Sequence, residues 1–369
     1  MKILQRLALL FILTFPATSY SIRFLFETGI SILGLGNIKN KHVFYSCLAL
    51  TIILVLLHMP KLLLGYSTDS YSNIIRFSSV LIALFYFRVG FKEIFILLAL
   101  LLVLNFSFSL ILLLDLELGN VISGIFNDKN PELMHGRVAG IFHNIGVNSY
   151  FCYIACIYFF CSFSFGYRKK ISAYLSMLAF ISLVIAQSKT GIVLLLPSLI
   201  LLHFYFQKIS LTSISKILFI SFIILSLFFY YIEAITSNFY FFTKLGSILV
   251  SGEASSLSAR FDLWAAYLSL QIDSFSAMIF GLDKSSMATI SNTFDNDLIW
   301  ILVNFGVLGI TIYFIMLMLL LRKNLDPFGN ILKICCLFSI PFSFLIGVIS
   351  QPQSALIFWM LFVNVRRPN

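Results

Sequence analysis

The chain has 369 residues, of which 60% are apolar or aromatic and only 11% are charged. Soluble domains carry about 25% charge, so with a mean hydropathy of +1.00 the composition excludes both a water-soluble enzyme and a disordered chain. The net charge of +10 is spread between apolar runs rather than clustered, which excludes a nucleic-acid partner. Forty-one phenylalanines suit a lipid-facing surface. This is the composition of an all-α, polytopic integral membrane protein.

A helix crosses a hydrocarbon core about 30 Å thick with roughly 20 apolar residues. In chain order the first 40 residues hold either two short spans, at 5–20 and 22–37, or one span followed by an interfacial segment. Their charged start, apolar stretch and Ala17-Thr18-Ser19 also imitate a signal peptide; a retained span is the expectation. Further spans are predicted at 43–66, 72–88, 92–114, 145–166, 171–188, 190–206, 213–234, 297–321, 329–350 and 353–366. The total is about 12 transmembrane helices, or 11 if the first 40 residues hold one, in a single helical domain over 1–369.

Placing both termini in the cytoplasm puts 16 of the 25 Lys and Arg residues inside, among them Arg168-Lys169-Lys170 and Arg366-Arg367, as the positive-inside rule requires. Of the 15 acidic residues, only Glu93 and Asp326 then fall inside. The cytoplasmic connections are short, whereas two long segments, 115–144 and 235–296, lie outside. There is no room for a cytoplasmic nucleotide-binding domain and no GxxxxGK[ST] loop. The working surface is therefore expected on the exterior. All six cysteines lie in predicted spans, so no disulfide framework is implied, and the five histidines show no metal-ligand spacing. No metal and no cofactor is expected.

Four exterior segments carry residues suited to chemistry. The first, Arg137-Val-Ala-Gly140-Ile-Phe-His143-Asn144, places a guanidinium, an imidazole and an amide beside a flexible glycine. Arg grips phosphate bidentately; the plainer alternative is an anchor to lipid phosphate. The second is the turn Ser188-Lys189-Thr190-Gly191, where Lys189 either binds an anion or snorkels to the interface.

The third segment predicts an amphipathic helix near 258–270, with Ser258 as N-cap, an apolar stripe of Phe261, Trp264, Ala265 and Leu268, and Arg260 facing a polar cavity. The alternative is a helix that only packs on the bundle. The fourth sets Asp295, Asn296 and Asp297 at the outer mouth of a span. A carboxylate at such depth points to function, with helix capping by Asp295 as the plain alternative. Together three cations, Arg137, Lys189 and Arg260, and one acidic cluster suit an anionic lipid-linked substrate, with a carboxylate as general base on a hydroxyl.

Over about residues 130–310 these segments resemble the O-antigen polymerase family, with the O-antigen ligases as relatives. The likeness rests on Arg137 to Phe142, on Ser188 to Gly191, on Arg260 followed by Trp264 and Gly281, and on Asn296 followed by Gly306 and Gly309. Two departures are present: Lys189 stands where Arg is common, and Asp295 stands where ligases typically place a histidine. The second favours a polymerase with Asp295 as base.

The resemblance implies an inner-membrane enzyme of lipopolysaccharide biosynthesis whose exterior loops face the periplasm. It implies an inverting, metal-independent glycosyltransferase that joins undecaprenyl-diphosphate-linked oligosaccharide repeat units. Arg137 and Arg260 would stabilise the leaving diphosphate, with Lys189 in support. His143, Asn144, Trp264, Asn296 and Asp297 would contact substrate. Membrane lipid and a chain-length regulator protein are the further partners. The competing readings are an O-antigen ligase, a flippase or transporter for lipid-linked oligosaccharide, and, least supported, a membrane acyltransferase using His135 or His143.

Overall fold

A computed structural model of the chain describes residues 91–114, 138–142, 144–186, 188–206, 255–282, 296–321, 326–348 and 352–365. The described residues are helical with no strand among them. In order the helices are α1 (Phe91–Leu114), α2 (Ile145–Ser164), α3 (Lys169–Ile185), α4 (Lys189–Phe206), α5 (Ser255–Ile272), α6 (Phe275–Phe280), α7 (Asp297–Leu321), α8 (Pro327–Leu345) and α9 (Pro352–Asn364). Four of them, α1, α2, α7 and α8, are long and apolar enough to cross a membrane. The spans expected at 5–20, 22–37, 43–66, 72–88 and 213–234 lie outside the described residues.

The chain divides into two compact units. One comprises residues 102–256 apart from 126–128, and the other comprises 1–101, 126–128 and 257–369. The first unit is built on α2, in which every residue from Val147 to Phe159 is buried. Helices do not associate in lipid by excluding water, so packing and interhelical hydrogen bonds of about 0.6–2 kcal/mol each hold them. Here the Tyr153 hydroxyl meets Ser198 Oγ of α4 at 2.8 Å, beside Pro197, which interrupts the α4 hydrogen-bond ladder. At the far end Phe165 stacks edge-on against Phe206 at 4.9 Å. Helices α2 and α4 therefore run parallel, with their N-terminal ends at one side. The connection from α2 to α3 turns through Gly166 and Arg168, both at positive φ, and Lys169 lies 5.4 Å from the Phe163 ring.

In the second unit Asp326 caps α8 by accepting from the Phe328 N–H at 3.2 Å, with Pro327 in the first turn, where its missing donor costs nothing. The Phe328 ring packs on Phe91 at 4.3 Å.

Two expectations are corrected here. The span predicted as continuous over 297–321 is broken at Gly306, whose φ of 66° and ψ of −163° are not helical. Helix α5 starts at Ser255, so Ser258 lies inside the helix and does not cap it. The side of α5 that meets protein is that of Tyr267. Tyr267 is fully buried with Leu263 and Leu270 packed beside it, while Phe261 is 55% exposed and Ala265 is exposed.

Candidate functional site

The start of α2 gathers buried polar side chains, Asn105, Asn148, Ser149 and Ser188. Asn144 caps the helix, its side-chain oxygen accepting from the Gly146 N–H at 2.6 Å. One turn further in, Asn148 and Ser149 are both fully buried. The Asn148 amide donates to the Val138 carbonyl at 2.9 Å and accepts at 2.8 Å from the amide of Asn105 on α1. The Asn105 oxygen accepts in turn from the Ile141 N–H at 3.2 Å. Two buried amides thus hold the short segment 138–141 that follows Arg137.

Gly140 makes that hold possible: its φ is +61°, and a Cβ there would lie 2.0 Å from Asn105 Oδ1. On the other flank the Ser149 hydroxyl donates to Ser188 Oγ. Ser188 accepts from the Gly191 N–H at 3.3 Å, which caps the start of α4, where Lys189 is the first helical residue. Gly191 lets the strands of this knot approach, since a Cβ there would lie 2.4 Å from Ser149 Oγ. Adjacent residues of α2 therefore anchor two of the segments singled out in the sequence.

In the other unit three of the predicted site residues converge on the C-terminal end of α8. Asn296 caps α7, accepting from the N–H groups of Leu298 at 2.9 Å and Ile299 at 3.2 Å. Its amide donates to the Phe344 carbonyl at 3.2 Å. Asp297 is fully buried and accepts from the Val348 N–H at 2.7 Å. Arg260 is partly buried and reaches the Leu345 carbonyl in a long contact of 3.5 Å. Helix capping falls to Asn296, one residue after the Asp295 considered for it. Trp264 stacks edge-on against Phe261 at 5.2 Å on the exposed side of α5. Arg137, His143 and Asp295 lie outside the described residues.

No protein-family model and no curated protein matches the chain.

Among the described residues no three His, Cys, Asp or Glu side chains gather as metal ligands would, and Cys152, Cys156, Cys161, Cys335 and Cys336 are buried and in no disulfide. A cavity of about 290 Å³ opens between α2, α3 and α4, lined by residues such as Cys156, Phe160, Met177 and Leu199. Its walls are apolar and include none of the candidate polar residues.

Sequence reasoning missed Asn105, Asn148 and Ser149. For the asparagines the signal was present. An amide inside an apolar 24-residue run such as α1 is costly in lipid unless it is hydrogen-bonded, so Asn105 calls for a buried partner.

Proposed function

We propose that the protein is an O-antigen polymerase, an inner-membrane glycosyltransferase that joins undecaprenyl-diphosphate-linked repeat units at the periplasmic face. Both termini lie in the cytoplasm in this reading. The observation that carries it is the knot at the start of α2, where Asn148 and Ser149 hold the segment after Arg137 and the turn that bears Lys189. Two cation-bearing segments anchored to neighbouring residues suit a diphosphate, which presents two charged centres a few ångströms apart.

In the reaction an acceptor hydroxyl gives its proton to Asp295 and bonds to the anomeric carbon, while the bond from that carbon to the diphosphate breaks with inversion. Arg137, Arg260 and Lys189 stabilise the charge left on the diphosphate. Such positioned donors are worth about 10²–10³-fold in rate. His143, Asn144 and Trp264 contact the glycan, and Asn296 and Asp297 hold the start of α7 against α8.

Reconstituted with purified lipid-linked repeat units in vesicles, the full chain is expected to build a ladder of polymer. Arg137→Ala and Arg260→Ala should each slow it by about 100-fold or more, and Asp295→Asn by at least as much. Unchanged ladders from Arg137→Ala and Arg260→Ala at equal protein level would overturn the clamp. The break in α7 at Gly306 favours a second reading, a transporter, because interrupted helices form transporter sites. Movement of labelled lipid-linked units across the vesicle bilayer without polymer would select it.

A further inference from the structure

The apolar cavity between α2, α3 and α4 has a charged end as well as apolar walls. On α3 it is lined by Ala173, Ser176, Met177 and Phe180, spaced i, i+3, i+4 and i+7, so they share one face of the helix. On α2 the lining residues Cys156, Phe160 and Phe163 also follow one face. The two lining side chains with polar atoms satisfy each other's helix: Ser176 Oγ donates to the Cys156 carbonyl at 3.3 Å and lies 3.6 Å from Cys156 Sγ. The groove therefore suits an apolar occupant. Met177 is 64% and Phe180 41% exposed, so its outer side is open.

Continued one turn toward the start of α3, the same face reaches Lys169, four residues before Ala173, with Lys170 beside it. The Lys169 ammonium stands 5.4 Å from the ring of Phe163, the lining residue at that end. Arg168, Lys169 and Lys170 are all exposed. Arg168 occupies the N-cap position of α3 with a φ of 42°. A guanidinium has donors only and cannot accept from the first N–H groups of the helix, and such a helix start attracts anions. An apolar slot, about 16 Å long from Lys169 to Phe180, thus ends in three positive charges. That end lies about 22 Å along α2 from Asn148, so the groove is separate from the knot at the start of the helix.

We propose that this groove holds an acyl chain of an anionic phospholipid whose phosphate rests on Arg168, Lys169 and Lys170. The inference does not use the polymerase reading. An acyl chain gains little by moving from the bilayer to a protein groove, because both are apolar. Choice among lipids therefore falls to the headgroup, and basic pockets between membrane helices select anionic ones. The apolar stripe fixes where the chain lies, and so brings the phosphate to the cations at the end of the slot.

The test measures lipid binding to the purified full-length chain by native mass spectrometry, with phosphatidylglycerol and phosphatidylcholine of identical acyl chains as probes. The wild type is expected to hold one phosphatidylglycerol about 25-fold more tightly than phosphatidylcholine. Lys169→Gln and Lys170→Gln should each lower that preference about fivefold, the worth of one basic residue beside an anionic lipid. Ala173→Trp and Met177→Trp keep the cations and fill the groove from exposed positions. Their melting temperatures should stay near wild type while the tightly held phosphatidylglycerol is lost. Equal affinity for the two lipids in the wild type overturns the proposal. So does a preference that survives both groove-filling variants, because the cations alone then attract the lipid and the groove takes no part. A dimer that Ala173→Trp breaks would give the groove to a second copy of the chain and overturn the proposal as well.

Discussion

Gly306→Ala is expected to destabilise the protein by about 3–5 kcal/mol, a sum of backbone strain and forced overlap. The φ of 66° and ψ of −163° at Gly306 lie in a region that only glycine occupies readily. A Cβ there would sit 2.1 Å from the Ile279 carbonyl oxygen and 2.6 Å from the Phe280 nitrogen. Both are backbone atoms and cannot swing aside. The partner in this crossing is Gly281, with φ of 91° and ψ of 170°, whose own Cβ would meet the Asn304 carbonyl carbon at 2.5 Å. The end of α6 and the break in α7 therefore pass each other backbone to backbone.

The carbonyls released by the break find new donors, as buried backbone in a membrane must. The Leu282 N–H reaches the Val303 oxygen at 2.6 Å, and the Gln271 amide reaches the Leu302 oxygen at 2.6 Å. Thermal unfolding in detergent measures the loss. Gly166→Ala is the control, because its φ is +80° but nothing lies within 4 Å of the added methyl; it should cost only about 1–2 kcal/mol. Equal melting of Gly306→Ala and the wild type would mean that α7 is not broken there.

Asp297→Ala should cost about 3 kcal/mol, because it strips a fully buried N–H of its acceptor. Losing the carboxylate therefore loosens the start of α7 from the segment that follows α8. Asp297→Asn retains an acceptor for Val348 and should cost clearly less than Asp297→Ala. Melting temperatures of the two variants, with the wild type, read this directly; equal losses in both would show that charge rather than the Val348 hydrogen bond matters.

The sequence was most legible where a single physical requirement dominates. Apolar runs predict helices at 92–114, 145–166, 171–188, 190–206, 329–350 and 353–366, and a helix is found in each. Hydropathy counts residues and is blind to backbone angles, so it reads 297–321 as one span and passes over the break at Gly306. Glycine at 306 and 309 was visible in the sequence, but nothing local says that the end of α6 will cross there. On α5 the periodicity picks out the stripe of Phe261, Trp264, Ala265 and Leu268 but not the Tyr267 side, which is the one that packs on protein.

The candidate site divides along the same line. Charged and aromatic side chains in exterior segments draw attention as chemistry, and Arg260, Asn296 and Asp297 do share one locality at the end of α8. Their described hydrogen bonds are to backbone, which makes that locality a well-fixed frame. The residues that hold the other segments in place are small and uncharged. Asn105, Asn148 and Ser149 carry no signal in charge or aromatic pattern; the cost of burying an amide in lipid points to the two asparagines, and nothing in the sequence points to Ser149.

The measurement that bears most directly on the polymerase reading is the lipopolysaccharide banding of a bacterium from which this gene has been deleted. Caps of a single repeat unit on the lipid core, restored to full ladders by the wild-type gene and not by Arg137→Ala, are the predicted result. Complete loss of O-antigen with polymer accumulating on its lipid carrier would contradict it and assign the protein to ligation.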